Sequence, residues 1–519
     1  MGNGLVPEVV VSQTDRAGSG RCWRCDGLGW PGALGASRFR VVAVAVLVAA
    51  TLWGYLDIGP RGRLDPGRID QHKTDFTVFT EAGAAFFDGR NPYRVGNPRG
   101  WRYLYPPLFA LLAAPLSVFD TESQVIIWYV LNVGLVFACF GEVRRLWRLA
   151  AGTQSGQARW LGAGVGLTAL LPFLDCMQAG QLGIVILYLL MVGFRLVVEG
   201  RSCLSWFLGG LVLAFPAVIK LVPALPVLFL VFQQWSAVAW PRGGRRPLDQ
   251  ATTLTAGVST GVLLFLLVIP ASLVGWQKNL NYLHIWKERI VSNDRVSGNA
   301  NFNIHSFRNQ SLANAVYLCT KSVAPQAVLD PRSRPGWDRP ERVVHPGVHV
   351  VIGIILIALV AVGLAAGRRP DLLDRATAYS LSCCATLLVS PLSWGHYYMA
   401  GVPAVLCVPL WLSRRGRPGL ARIAAAMPPI LSWSYYLAMP YTGGVGLLGL
   451  GTAAWFLAAC GAILGIEAAG ALATPPIPSR QKPGRTGLLR PHWIRPRPGR
   501  APSRLSVERR RSRPDAPAD

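Results

Sequence analysis

An all-α, polytopic membrane fold with about 10–13 transmembrane helices is what this sequence predicts, each crossing taking roughly 20 apolar residues. Three observations lead there. Apolar residues make up 51% of the chain and charged ones only 15%, where soluble domains carry roughly a quarter charged residues. Mean hydropathy is +0.34, and the apolar runs recur along the whole length, which excludes a soluble protein with one anchor. Most runs are also closed by arginines.

Taken in order, residues 1–38 are polar and glycine-rich, and read as a cytoplasmic N-terminal segment. Residues 41–58 supply the first span, an uncleaved anchor, because the polar leader is long and no small-residue cleavage site follows. Residues 122–141 form the next span and end in Arg144, Arg145 and Arg148. Spans at 159–176 and 182–194 flank the turn Gln178-Ala-Gly-Gln181 and are followed by Arg195 and Arg201. The apolar stretch Leu204–Trp240 is too long for one crossing of about 20 residues, so it is expected to turn near Lys220. Residues 253–274 cross next. A long polar section, 275–346, holds a short buried or re-entrant helix at 311–325. Spans at 347–366, 376–392 and 397–412 follow, the last two separated by Ser393-Trp-Gly-His396. Two final runs, 424–438 and 444–470, complete a transmembrane unit over 39–472. Residues 473–519 form a basic, Pro/Arg-rich tail, read as disordered and cytoplasmic.

The formal charge is +26, and the final forty residues hold 12 Lys/Arg against 3 Asp/Glu. Such a tail suits anionic lipid headgroups better than nucleic acid, so membrane lipids are expected partners and nucleic acid is not. From a cytoplasmic N-terminus, the arginine clusters and the tail fall on one side, the positive-inside pattern. The polar loops 59–121, Gln178–Gln181, Lys220, 275–346 and Ser393–His396 all fall opposite. Polar features gathered on one face present a single site there, outside the cytoplasm.

Residues 75–115 are the richest of these loops in chemistry. Asp75 precedes the pattern Phe76-x-x-Phe79-x-x-Ala82, which predicts a short interfacial helix. Its carboxylate could deprotonate a hydroxyl or serve as an ordinary helix N-cap. Glu81 is a lesser acidic candidate, because it could equally face solvent. Arg90, Arg94, Arg99 and Arg102 suit a phosphate or plain solvation. Tyr105 belongs to an interfacial aromatic group, and Pro106-Pro107 fixes an extended approach to a helix. Lys220, an ammonium near membrane depth, is a default functional candidate for a lipid phosphate, with snorkelling as its bland alternative. Asn303, Arg308, Asn309 and Gln310 could bind sugar hydroxyls and phosphate, or cap the next helix. Trp394 and His396 sit at a turn, and histidine can carry a proton or meet a phosphate. Most of the ten cysteines lie in apolar runs as small hydrophobes; Cys22 and Cys25 form a single CxxC, weak support for zinc. There is no HExxH, DxD, GxGxxG or Walker loop.

An Asp past the first span, Gly89-x-x-Pro92-Tyr93 and Tyr105-Pro106-Pro107-Leu108 together resemble glycosyltransferase family 87, the polyprenyl-phosphate-mannose-dependent α-mannosyltransferases of the GT-C superfamily. Gln178-x-Gly180-Gln181, Lys220-x-x-Pro223, Asn309-Gln310-Ser311-Leu312 and Ser390-Pro391-x-Ser393-Trp394-x-His396 resemble its later motifs in the same order, over roughly residues 40–440. The resemblance implies a GT-C-like catalytic unit in the cytoplasmic membrane with an extracytoplasmic active site. The donor would be a polyprenyl-phosphate hexose, usually mannose, and the acceptor a glycan or glycolipid, with no cofactor. Asp75 becomes the general base, Lys220 and His396 neighbours of the donor phosphate, and Glu81, Arg102, Tyr105, Gln178, Gln181, Asn303, Arg308, Asn309, Gln310 and Trp394 the surrounding substrate site. A transporter or flippase shares many spans and helix breakers, but no internal repeat relates the two halves. A non-enzymatic assembly scaffold is the remaining class.

Overall fold

The computed structural model describes residues 45, 48–64, 72–151, 158–239, 246–288, 306, 308–320, 346–369 and 371–473. The expected N-terminal segment, the Cys22/Cys25 pair, Asn303 and the tail beyond residue 473 lie outside the described residues. Packing groups Met1–Ala468 as one compact unit and Ala469–Asp519 as another; of the second, only the end of a helix is described.

Every regular element among the described residues is helical, and two isolated bridges, Gly96 with Arg102 and Asn309 with Trp394, are the only extended pairings. The described part of the run expected as the first span ends in a π turn, Gly54–Ile58, and a 3-10 turn, Gly59–Gly62. Then come α1 (Phe76–Phe87) and α2 (Pro107–Ala113), followed by α3 (Thr121–Ala151), α4 (Ala158–Ala179) and α5 (Gly183–Glu199). The stretch expected to turn near Lys220 does so, giving α6 (Cys203–Ile219) and α7 (Ala224–Ala239). Next, α8 (Arg246–Leu263) runs through a π turn, Leu264–Val268, into Ile269–Val274, and α9 (Trp276–Trp286) follows Gly275. The short helix expected at 311–325 is α10 (Leu312–Thr320). The set closes with α11 (Pro346–Gly367), α12 (Leu372–Val389), α13 (Val402–Arg414), α14 (Pro418–Leu437) and α15 (Leu447–Ala473).

Among the described residues, five helices are long and apolar enough to cross a membrane: Thr121–Arg148, Leu161–Ala179, Pro247–Val274, Gly347–Gly367 and Leu447–Gly465. The chain is a multi-pass membrane protein. α11 shows why: Ile355, Leu359, Val362 and Ala366 are buried at helical spacing, while Val350, Ile354 and Ile357 face outward. An outward apolar stripe of that kind finds its complement in lipid. Small residues let the helices approach closely; a Cβ on Gly210 of α6 would stand 2.6 Å from the Leu254 carbonyl of α8.

At one end of the helices the arginines find acidic partners: Arg195 with Glu142 at 2.9 Å, Arg145 with Glu199 at 2.6 Å and Arg415 with Asp374 at 3.0 Å. The polar turns meet at the other end. There α1 and α2 are fixed by aromatic packing, with Phe76 stacked on Trp128 of α3 at 4.7 Å and Phe79 edge-on to Phe109 at 5.0 Å. The diproline acts as expected: Pro106 is the extended N-cap of α2 and Pro107 its first residue. The Pro106 carbonyl accepts the buried Tyr103 hydroxyl.

Candidate active site

Asp75 stands immediately before α1, where an N-cap would stand, yet its side chain makes no capping hydrogen bond. Thr74 Oγ1 takes that role, accepting the Phe76 amide at 3.2 Å. The Asp75 carboxylate instead accepts Gln181 Nε2 on its Oδ2, and its second oxygen carries no hydrogen bond among the described residues. The backbone is fixed to the same turn, Asp75 N donating to the Ala179 carbonyl at 2.9 Å. Asn97 Nδ2 donates to the Thr74 carbonyl at 3.2 Å, and His72 Nε2 pairs with Thr77 Oγ1 at 2.7 Å. Both ends of the segment carrying Asp75 are thus tied down.

Gly180 makes this crossing possible. Its φ of 68° is left-handed, the region that favours glycine, and a Cβ there would collide with Thr74 Oγ1 and stand 3.1 Å from the Phe76 amide nitrogen. Gly180→Ala should cost about 1–2 kcal/mol in backbone strain and displace Asp75 as well. Catalytic turnover should therefore fall by more than the shift in thermal unfolding accounts for; equal stability and turnover would show that the crossing tolerates a methyl group.

Three cationic or ionisable groups lie in electrostatic range of Asp75: His396, Lys220 and Arg99. Lys220 ends α6 at the turn before α7 and is buried, 7% exposed. Its ammonium lies 3.7 Å from the Tyr397 ring centre and 5.6 Å from that of Tyr105, a cation–π setting. It is not snorkelling. Burial pushes the Asp75 carboxyl up to about 6, against the pull of the Gln181 hydrogen bond and of His396, Lys220 and Arg99. Burial also lowers Lys220 to about 7. A carboxylate and an ammonium shifted towards neutrality within each other's field are a common signature of functional sites.

The other expected residues divide between site and scaffold. Gln178 turns away from Asp75 and donates to Asp57 Oδ2 at 2.8 Å. Asn309 Oδ1 accepts the Ser393 amide at 2.9 Å, and Gln310 Nε2 donates to the Gly443 carbonyl at 3.0 Å. The Asn309 side chain and the Gln310 amide, which donates to the Ser393 carbonyl at 2.7 Å, staple the α10 entry to the turn before His396, while the Gln310 side chain ties it to the loop before α15. Trp394 shares that staple through its bridge to Asn309. Glu81, half-buried on α1, makes no hydrogen bond or ion pair among the described residues. Arg102 is exposed and bridges Gly96 through its backbone. Arg308 is exposed, with its carbonyl accepting the Tyr435 hydroxyl at 3.3 Å. Arg99, lying 4.4 Å over the Trp101 ring, is the arginine of the first loop that reaches the field of Asp75.

Sequence reasoning passed over Asp175 and Tyr397. Asp175 is the single acidic residue of α4, and its Oδ2 faces His396 Nδ1 at 3.4 Å and accepts the Tyr436 hydroxyl at 2.9 Å. The signal was available, since a lone carboxylate in an apolar span is itself a functional pointer. Nothing comparable marked Tyr397, whose place under Lys220 depends on packing. No group of three or more His, Cys, Asp or Glu among the described residues has metal-site geometry.

A constellation of this kind sits inside a stretch with known relatives. Residues 103–391 match the sequence profile of glycosyltransferase family 87. The chain belongs to glycosyltransferase family 87. It is 26% identical, over 78% of its own length and 84% of the relative's, to the polyprenol-phosphate-mannose-dependent alpha-(1-2)-phosphatidylinositol mannoside mannosyltransferase of Mycolicibacterium smegmatis. To the protein of the same name from Mycobacterium tuberculosis it is 23% identical over 70% of this chain and 76% of the relative. A third relative, the M. smegmatis polyprenol-phosphate-mannose-dependent alpha-(1-2)-phosphatidylinositol pentamannoside mannosyltransferase, is 28% identical over 26% of this chain and 31% of its own. No solved structure matches the chain. The family 87 protein is thus a membrane glycosyltransferase, and the transporter reading is not favoured.

Proposed function

We propose that this enzyme transfers mannose from a polyprenyl-phosphate donor to a mannosylated glycolipid, with Asp75 as general base, on the extracytoplasmic face of the cytoplasmic membrane. The observation that carries the catalytic part is the Asp75 carboxylate, held on one oxygen by Gln181 and open on the other, in the field of Lys220 and His396. Donor and acceptor class follow the names of the relatives, and sidedness follows the arginine distribution.

The reaction is a single displacement at the anomeric carbon. The acceptor hydroxyl attacks as its proton passes to the open Asp75 oxygen. The bond from C1 to the phosphate oxygen breaks, and its electron pair leaves with the polyprenyl phosphate. That leaving group is already a stable anion, so no acid catalyst is required. Lys220 and His396 compensate the charge that develops on it. A single displacement inverts the anomeric centre, so an α product calls for a β-linked donor.

A transfer assay with the full chain and a panel of polyprenyl-phosphate sugars tests this reading. Mannose is expected to move and nucleotide sugars are not; preference for another hexose, or use of a nucleotide sugar, would replace the donor assignment. A cysteine placed near residue 100 should react with an impermeant reagent from outside the cell.

A further inference from the structure

His396 is 7% exposed, and its Nε2 is buried without a hydrogen-bond partner among the described residues. Such an atom is costly to leave bare and calls for an explanation. Its other nitrogen is not idle: Nδ1 faces Asp175 Oδ2 at 3.4 Å, and the Tyr436 hydroxyl steadies the same oxygen at 2.9 Å. The ring meets Tyr397 edge-on at 4.7 Å, and Tyr397 carries the Lys220 ammonium at 3.7 Å on its face. His396 and Lys220 both lie in the field of Asp75. One carboxylate therefore backs the histidine while the far edge of the ring is left for something not supplied by the protein.

The chemistry of imidazole narrows what that is. With Nδ1–H directed to Asp175, Nε2 can reach an anionic oxygen favourably only when it too carries a hydrogen, and the ring is then a cation with Asp175 as its counter-charge. We propose that Asp175 is a positioning residue for sugar transfer, acting through His396 to aim Nε2–H at a non-bridging phosphate oxygen of the lipid-linked donor. The proposal rests on the donor reading above. When the bond from C1 to the phosphate oxygen breaks, the electron pair goes to the phosphate and the acceptor proton to Asp75. The Nε2 hydrogen stays on His396 throughout. Asp175 touches neither substrate; its effect is to hold the ring in register and balance its charge.

A double-mutant cycle separates this role from a merely structural one. In the purified full chain in lipid nanodiscs, with polyprenyl-phosphate mannose as donor, Asp175→Asn should lower kcat/KM for the donor by on the order of 10–100-fold, the usual effect of losing a hydrogen bond to a charged group. His396→Gln should cost at least as much. Added to His396→Gln, Asp175→Asn should then change kcat/KM by less than about twofold, because its route is already cut. If Asp175→Asn fails to fold, Asp175→Glu, which keeps the charge, serves in the same cycle with a smaller first loss. Losses that multiply, or parental activity in either Asp175 variant, overturn the positioning role. Failure of the parent chain to use any polyprenyl-phosphate sugar overturns the donor reading and this proposal with it, whereas transfer with independent losses overturns this proposal alone.

Discussion

Asp75→Asn is expected to abolish sugar transfer, with a fall in kcat of about 10²–10⁴-fold, the range supplied by a positioned general base. The substitution is close to isosteric, and the asparagine oxygen can still accept Gln181 Nε2, so the crossing of the first loop with the α4–α5 turn should survive. Only the ability to take a proton is lost. Because the carboxylate makes no capping hydrogen bond to α1, no helix start is forfeited, and protein level and thermal unfolding should match the parent. Turnover close to parental would remove Asp75 from the mechanism.

The pH profile gives an independent reading of the same residue. Burial raises the Asp75 carboxyl to about 6, and the base works only when deprotonated. In the free enzyme kcat/KM should therefore rise with pH through about 6. Lys220 is lowered by burial to about 7, and the proposed mechanism needs its charge at the phosphate, so kcat/KM should fall again above that value. A bell of this kind reports the free enzyme. Once the donor is bound, its phosphate favours the ammonium form, so kcat measured at saturating donor should keep the acid limb and push the alkaline limb upward. A flat profile between pH 5 and 8 would contradict both roles; that window is roughly where the two groups titrate.

Lys220→Met should have the second-largest effect, a loss of about 10²–10³-fold in kcat/KM for the donor, typical of removing one preorganised electrostatic group. Methionine nearly preserves the volume between Tyr105 and Tyr397, so the charge alone is tested. Stability should move the other way. A buried ammonium, 7% exposed, is expensive to desolvate, and an apolar replacement of similar size is often neutral or stabilising. Lower donor use with unchanged or higher thermal stability is thus the expected pair of results. Normal donor KM and kcat would rule out a phosphate role.

Much of this fold was legible from hydropathy. The run Leu204–Trp240 had to break once, and the break fell at Lys220 because that is where an ammonium and Pro223 interrupt it. The lengths of the helices were less legible. α8 begins several residues before the expected 253, since Pro247 and Asp249 suit a helix's first turn although they look like loop. The expected span at 397–412 opens instead with a 3-10 turn, Gly395–Gly401, that sets His396 against Asp175.

The class of protein, the order of its polar turns and the grouping of its arginines are local properties, written in apolar run length and in the residues that close each run. Side-chain assignment within the site is a different kind of information. Gln178 and Gln181 look equivalent in the chain, yet Gln178 goes to Asp57 and Gln181 to Asp75, because the left-handed turn at Gly180 points them apart. Asp75 meets Gln181 across 106 residues, and Asp175 meets Tyr436 across 261. Contacts at such separations are fixed by how helices pack, which no short motif encodes. So the stretch around Asp75 could be singled out from sequence, but setting aside the N-cap role required seeing which hydrogen bonds its carboxylate makes and which it leaves open.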